Sequence, residues 1–226
     1  MGDIAGDTAR LNVSTSGRGG GAAPGATRID GRHLRSARSR DLVVDAILDL
    51  MGEGDLRPSA YGVATRAGVS ERTVFRHFAD LDQLFAAAAE RQSQRIAPLL
   101  APPPVDGPRE RRVGELVRRR ARLYEEVTPV RRAAVRQAPF HDVVRARLEQ
   151  LHTVLRNQVC ASFAIELNTV RLRDRRELVE ALDAATSWPA WEVLRADQRL
   201  SAARTAGAME RTVSSLLLAN CGPDAS

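Results

Sequence analysis

Aromatic residues make up only 4% of this 226-residue chain. That scarcity, with Ala, Leu and Arg frequent, argues for packed helices rather than a β-sandwich. No apolar run approaches the roughly 18 residues that a membrane span needs. The first residues lack the apolar core of a signal peptide, so the expected location is the cytoplasm. Cysteine is confined to Cys160 and Cys221. Two thiols so far apart give neither a disulfide framework nor metal-ligand spacing, and both read as inert. Lysine is absent altogether, so all 34 basic side chains are arginine. This reads as codon usage, and no mechanism is drawn from it.

What is present is a net charge of +6, unevenly placed. Residues 1–40 carry +4, 41–107 carry −4, 108–147 carry +7 and 148–226 carry −1. Residues 1–35 are rich in Gly, Ser, Thr and Ala without a hydrophobic period and read as a flexible basic arm. Arg28, Arg32, Arg35, Arg38 and Arg40 crowd its junction with the first helix. These guanidinium groups either solvate a linker or track phosphates and a minor groove.

Residues 36–97 read as one module. Leu42, Val43, Ala46, Ile47, Leu50 and Met51 recur at three and four, which predicts a helix from about Ser39 to Gly52. Ser59 suits the N-cap of a second helix from about Ala60 to Ala67. Gly68 ends it, because the turn there wants a positive φ, and Ser70 caps a third helix from about Glu71. Val63, Ala64, Val69, Val74, Phe75 and Phe78 are expected to form the apolar wedge between them. Glu71, Arg72, Thr73 and Arg76 then face outward, the layout of a helix-turn-helix. Asp80 caps a fourth helix running to about Ala97. The acids Asp41, Asp45 and Asp49 repeat along one stripe that can face water.

The run VATRAGVSERTVFRHF, Val63 to Phe78, with the following ADLDQLF and the amphipathic helix before it, resembles the DNA-binding domain of the tetracycline-repressor (TetR) family. The likeness covers about a quarter of the chain, with a weaker echo in SWPAWEVLRADQRLS. It implies a homodimeric regulator that binds a double-stranded DNA operator and is released by a small-molecule effector. It also implies that Thr73, Phe75 and His77 meet the DNA, with Phe75 standing where a phosphate-binding tyrosine is common and Leu81 where a lysine is. Tyr61 falls at a family contact position. With Ser59, Ser70, Arg72, Arg76, Arg35 and Arg38, these make the candidate DNA-binding set.

Pro98 and Pro102 to Pro104 mark a boundary near 98–107. Beyond it, residues 108–220 read as a helical domain for ligand binding and dimerisation. Val113, Leu116, Val117, Ala121, Tyr124 and Val127 stripe one helix, Pro129 allows another to start near Val130, and Val144 to Phe163 stripe a long one. A helix over Arg175–Thr186 follows, Ser187 caps a short one and Ser201 the last. The last helix, with its stripe Met209, Val213, Leu216 and Leu217 and its slim first turns, and the segment Arg175–Thr186 are expected to carry the dimer contact, which the resemblance also implies. The whole is an all-α protein. Ligand candidates are Tyr124, His152, Cys160, Asn168 and Trp188, each with core or interface packing as the alternative.

No cofactor, catalytic group or metal is expected. His141 and His152 lie eleven residues apart on one helix, about 16 Å, too far for one metal. Two other readings stay open: a constitutive DNA binder without ligand control, and a helical enzyme using a histidine or cysteine.

Overall fold

The computed structural model describes residues 26–103 and 105–222, with side chains from His33 onward. Contacts divide the chain after Ala37, and the packing below is that of the residues from Arg38 onward. Among the described residues there are ten α-helices and no strand. The first four are α1 (Ala26–Gly52), α2 (Ala60–Ala67), α3 (Glu71–His77) and α4 (Leu81–Ile96). After a 3-10 turn at Ala97–Leu100 come α5 (Arg109–Gln137), α6 (Asp142–Ser162) and α7 (Ala164–Thr169). Then follow α8 (Leu172–Ala185), α9 (Trp188–Glu192), a π turn at Val193–Asp197 and α10 (Ala202–Cys221).

The boundaries set by local chemistry fall where the sequence puts them. Ser59 Oγ accepts from Gly62 N, Ser70 Oγ from Thr73 N, Asp80 from Gln83 N and Ser201 Oγ from Arg204 N. Each satisfies an orphan amide of a first turn. Gly68 stands at φ 66° and returns its N–H to α2, a left-handed stop that a side chain would strain.

Three expectations need correction. The basic arm lies outside the described residues up to residue 25, and residues 26–35 are helical. Arginine is a good helix former, so this part of α1 rests on propensity without a hydrophobic period. Pro129 does not divide α5, which runs unbroken through it. Its ring is on the solvent side, while Tyr124, Val127 and Ala133 are buried before and after it. Met209, Val213 and Leu217 are not a surface stripe, since none is more than 1% exposed and all pack in this chain's own core.

That core has three parts. Val43, Ile47, Val63, Val74, Leu84 and Phe85 join α1–α4 and continue to Ala133 of α5 and Val144 of α6. Leu116, Phe163, Leu182, Val213 and Leu217 join α5–α8 to α10. Val117, Tyr124, Leu155, Trp191 and Met209 close α5, α6, α9 and α10 around a ring pair, Tyr124 and Trp191 at 5.9 Å. Each large side chain so buried contributes about 1.5–3 kcal/mol.

The second part encloses a buried ion cluster. Glu166, 2% exposed, receives Arg112, also at 2.9 Å through its second oxygen, and Arg109 at 3.3 Å. Burial alone would raise the Glu166 carboxyl, but the hydrogen bonds and charge of Arg112 and the bond from Arg109 outweigh it and hold the group below its usual value. Glu166→Gln is expected to cost about 3–5 kcal/mol in urea unfolding, because two buried guanidinium groups lose their counter-charge. A folded-state pKa below the unfolded one means that Glu166 stabilises fully above about pH 4.3 and loses this contribution as pH falls through the lower folded value. The gap between wild type and variant should therefore close on acidification.

Candidate nucleic-acid interface and cavity

Seven residues form α3, too few to bury more than one side. Val74 and Phe78 are 1% and 2% exposed and seat it on α1, α2 and α4. Arg72 and Arg76 are exposed and make no ion pair among the described residues. Thr73 is half-buried, with its Oγ1 3.0 Å from Ser70 Oγ. Phe75 leaves the wedge expected for it and is 47% exposed, one position round the helix from Val74. Tyr61 on α2 is 69% exposed, so its phenol is not a core group. Ser59 is spent on its cap.

His77 points back into the protein rather than outward. Its Nε2 lies 3.2 Å from Ser39 Oγ of α1. Burial, then the charges of Arg76 and Arg40, push its pKa below the ordinary value, so the ring is neutral at pH 7. The imidazole thus ties α3 to α1. Nearby, the Arg40 guanidinium lies 4.9 Å from the Phe78 ring centre. Arg38 is exposed, and Arg35 is exposed on the part of α1 before Ala37.

The acids of this module are largely spent away from α3. Asp41 accepts from Arg91 at 2.5 Å, and Asp45 from Arg91 at 3.0 Å and Arg95 at 2.8 Å, joining α1 to α4. Glu53 holds Arg66 through both oxygens, at 2.7 and 2.5 Å. These hydrogen bonds and the opposite charge lower Glu53 and raise Arg66. Glu90 receives Arg147 of α6.

A cavity of about 230 Å³ lies between α1, α4, α5 and α6. Met51, Phe85, Ile96, Val127 and Leu151 line it, and the small Ala88, Ala89 and Ala134 leave the room. Its polar lining includes Gln92, Ser93, Gln137, Arg147 and Arg131.

Solved structures share this arrangement. A transcriptional regulator from Rhodococcus sp. Rha1 superposes with a TM-score of 0.64 at 18% identity, over 82% of this chain and 99% of its own. A tetR-family transcriptional regulator from Streptomyces coelicolor gives 0.61 at 19%, covering 80% of each chain. A TetR transcription regulator from Haloarcula marismortui ATCC 43049 gives 0.56 at 16%, over 81% of this chain and 98% of its own. The chain has the TetR-family fold. No protein-family model matches the sequence, and a search of curated proteins returns no match.

Within this TetR-family fold the five ligand candidates are scattered, and none lines the cavity. Tyr124 is fully buried, and its hydroxyl donates to Thr186 O at 2.7 Å. Burial pushes its pKa up to about 12. His152 is exposed and pairs with Asp183 at 2.8 Å, and Asn168 is exposed. Cys160 packs beside the second core, and Trp188 Nε1 donates to Thr128 Oγ1 at 2.9 Å. The expectation placed the pocket within residues 108–220, whereas α1 and α4 supply much of its wall. The run Ala86–Ala89 on α4 was the available signal, since four small residues on a core helix leave space. Arg131 carried no signal, being one arginine among many. Among the described residues no group of three or more His, Cys, Asp or Glu can hold a metal, and no helix is long and apolar enough to cross a membrane.

The contrast between neighbouring phenylalanines is testable by thermal and urea unfolding. Phe78→Ala should cost about 3–5 kcal/mol, while Phe75→Ala should stay within about 0.5 kcal/mol of wild type.

Proposed function

We propose that the protein is a sequence-specific DNA-binding transcriptional regulator, a homodimeric repressor that a small molecule releases from a palindromic operator. The observation that carries this reading is the free outer face of α3, where Arg72 and Arg76 stand exposed on a capped helix of a TetR-family fold. Two copies of α3 would enter successive major grooves, about 34 Å apart. An arginine there can hold a guanine through two hydrogen bonds. Phosphate contacts from Arg35, Arg38, Tyr61 and the Ser70 hydroxyl would set the register. Phe75 has no hydroxyl to offer and contributes only its ring.

The cavity favours ligand control over constitutive binding. Its walls come from α1 and α4, which carry the helix-turn-helix, and from α5 and α6. A ligand that fits one arrangement of these helices better than another shifts the spacing of the recognition helices. Dimerisation would use the outer faces of α8 and α10, where Leu172 and Leu218 are 81% and 56% exposed, in a self-complementary contact.

Selection from a random DNA pool tests the reading. A palindromic consensus bound with strong salt dependence is expected, and recovery of no sequence preference would sink it. On that consensus Arg72→Ala or Thr73→Ala should lose about ten-fold or more in affinity, since a base contact is worth about 1–3 kcal/mol, with melting unchanged. Wild-type affinity in both variants would remove α3 from the interface. Leu218→Glu should sediment as a folded monomer with weakened operator binding, and a persistent dimer would exclude this face of α10.

A further inference from the structure

The cavity wall holds an arginine that no acceptor oxygen answers among the described residues. Arg131 of α5 has Nε and Nη1 buried without a hydrogen-bond partner and forms no ion pair among the described residues. Its guanidinium lies 5.1 Å from the Trp188 ring centre, which offers a face but no acceptor oxygen. The second arginine at the cavity, Arg147, is committed to Glu90 and Gln150. Other polar lining groups are also engaged: Gln137 donates to Leu56 O at 2.7 Å and Ser93 to Ala89 O at 2.8 Å.

The fully buried arginines are answered with oxygen, although Arg120 Nε has no partner and the half-buried Arg175 also has a buried Nε without one. Arg112 has Glu166 and Ser162 O, and Arg120 has Gln158 and Leu155 O at 2.7 Å each. Arg131 departs from that pattern where the wall meets empty, mostly apolar space. Buried N–H groups without acceptors are costly, and a guanidinium keeps its charge when other groups would shed theirs. A carboxylate presents two oxygens in the geometry of that fork. The Trp188 ring beside it adds a favourable cation–π contact on one side.

Volume sets the size of the rest. A cavity of about 150 Å³ takes benzene, so about 230 Å³ suits an apolar body of roughly nine non-hydrogen atoms. Arg147, Gln150 and Val154, at the α6 side, are exposed, which leaves a way in from solvent.

We propose that this cavity binds a small amphiphilic carboxylate, a short-chain fatty acid or a monocyclic aryl-alkyl acid, with its apolar body against α1, α4 and α6 and its carboxylate on Arg131. Such a ligand is the effector if the regulator reading above holds, but its binding is tested without DNA. Octanoate and 3-phenylpropanoate are titrated into the full-length protein beside octanamide, 3-phenylpropanamide and octylamine, followed by calorimetry and tryptophan fluorescence. At least one acid should bind ten-fold or more tighter than its amide, with octylamine weakest, and should alter the emission of Trp188. Arg131→Gln should erase the acid preference while amide affinity stays within about two-fold, and Arg131→Lys should restore part of it. Equal binding of acids and amides, tighter binding of octylamine, no binding of any probe, or an acid preference surviving Arg131→Gln would each overturn the site. The wild-type comparison decides even if a variant fails to fold. Acid binding with unchanged operator affinity would uphold the site and defeat ligand control. Operator binding with no acid binding would defeat the site and leave the DNA-binding reading standing.

Discussion

α4 is held on two sides at once, and the arrangement of the other helices follows from that. Its buried residues Leu84, Phe85 and Ala88 are shared between the helix-turn-helix core and the start of α6. Around this apolar strip the charges divide by direction. Arg91 and Arg95 reach to α1, whereas Glu90 receives Arg147 of α6 and Asp82 meets His141 at the α6 N-terminus. The His141 ring also packs on Phe85, at 4.7 Å between centres. One helix therefore touches both α6 and α1, and through the shared core α2 and α3.

The same ion pairs answer an electrostatic difficulty. A segment of net charge −4 is a poor candidate for a polyanion until its acids are located. Asp41, Asp45 and Glu53 are occupied by arginines of their own module, and Asp80 caps a helix. Of the acids in that segment, Glu71 is the one that lies on α3 itself. The local sum of charge misleads because affinity for phosphate depends on what faces it.

How much could be read beforehand depended on the range of the interactions. N-caps, the Gly68 stop and the starts of α2, α3 and α10 are decided within four residues, and they stand where Ser59, Ser70 and Ser201 put them. Periodicity found the apolar faces but not their partners. Met209, Val213 and Leu217 close this chain's own core because α5 and α8 lie against α10, a fact of tertiary packing that a stripe cannot express. Pro129 looked like a break because a ring removes a local hydrogen bond, yet burial on both sides of it keeps α5 continuous. In α3 a change of one position separates a 1% exposed Val74 from a 47% exposed Phe75, which is finer than periodicity resolves in seven residues. The cavity escaped because it is made of residues far apart in the chain, with small side chains rather than distinctive ones.

The charged pairs that fasten α4 are all at its rim, with Asp41, Asp45 and Glu90 between 38% and 55% exposed. Pairs this wet contribute about 0–1 kcal/mol each and are screened further by salt. They set the direction in which α4 lies more than the strength with which it is held. The hold on α4 comes instead from its apolar strip, where Leu84 and Phe85 are buried beside Ala88. The direction of α4 is thus set by its charges and its hold by its apolar strip.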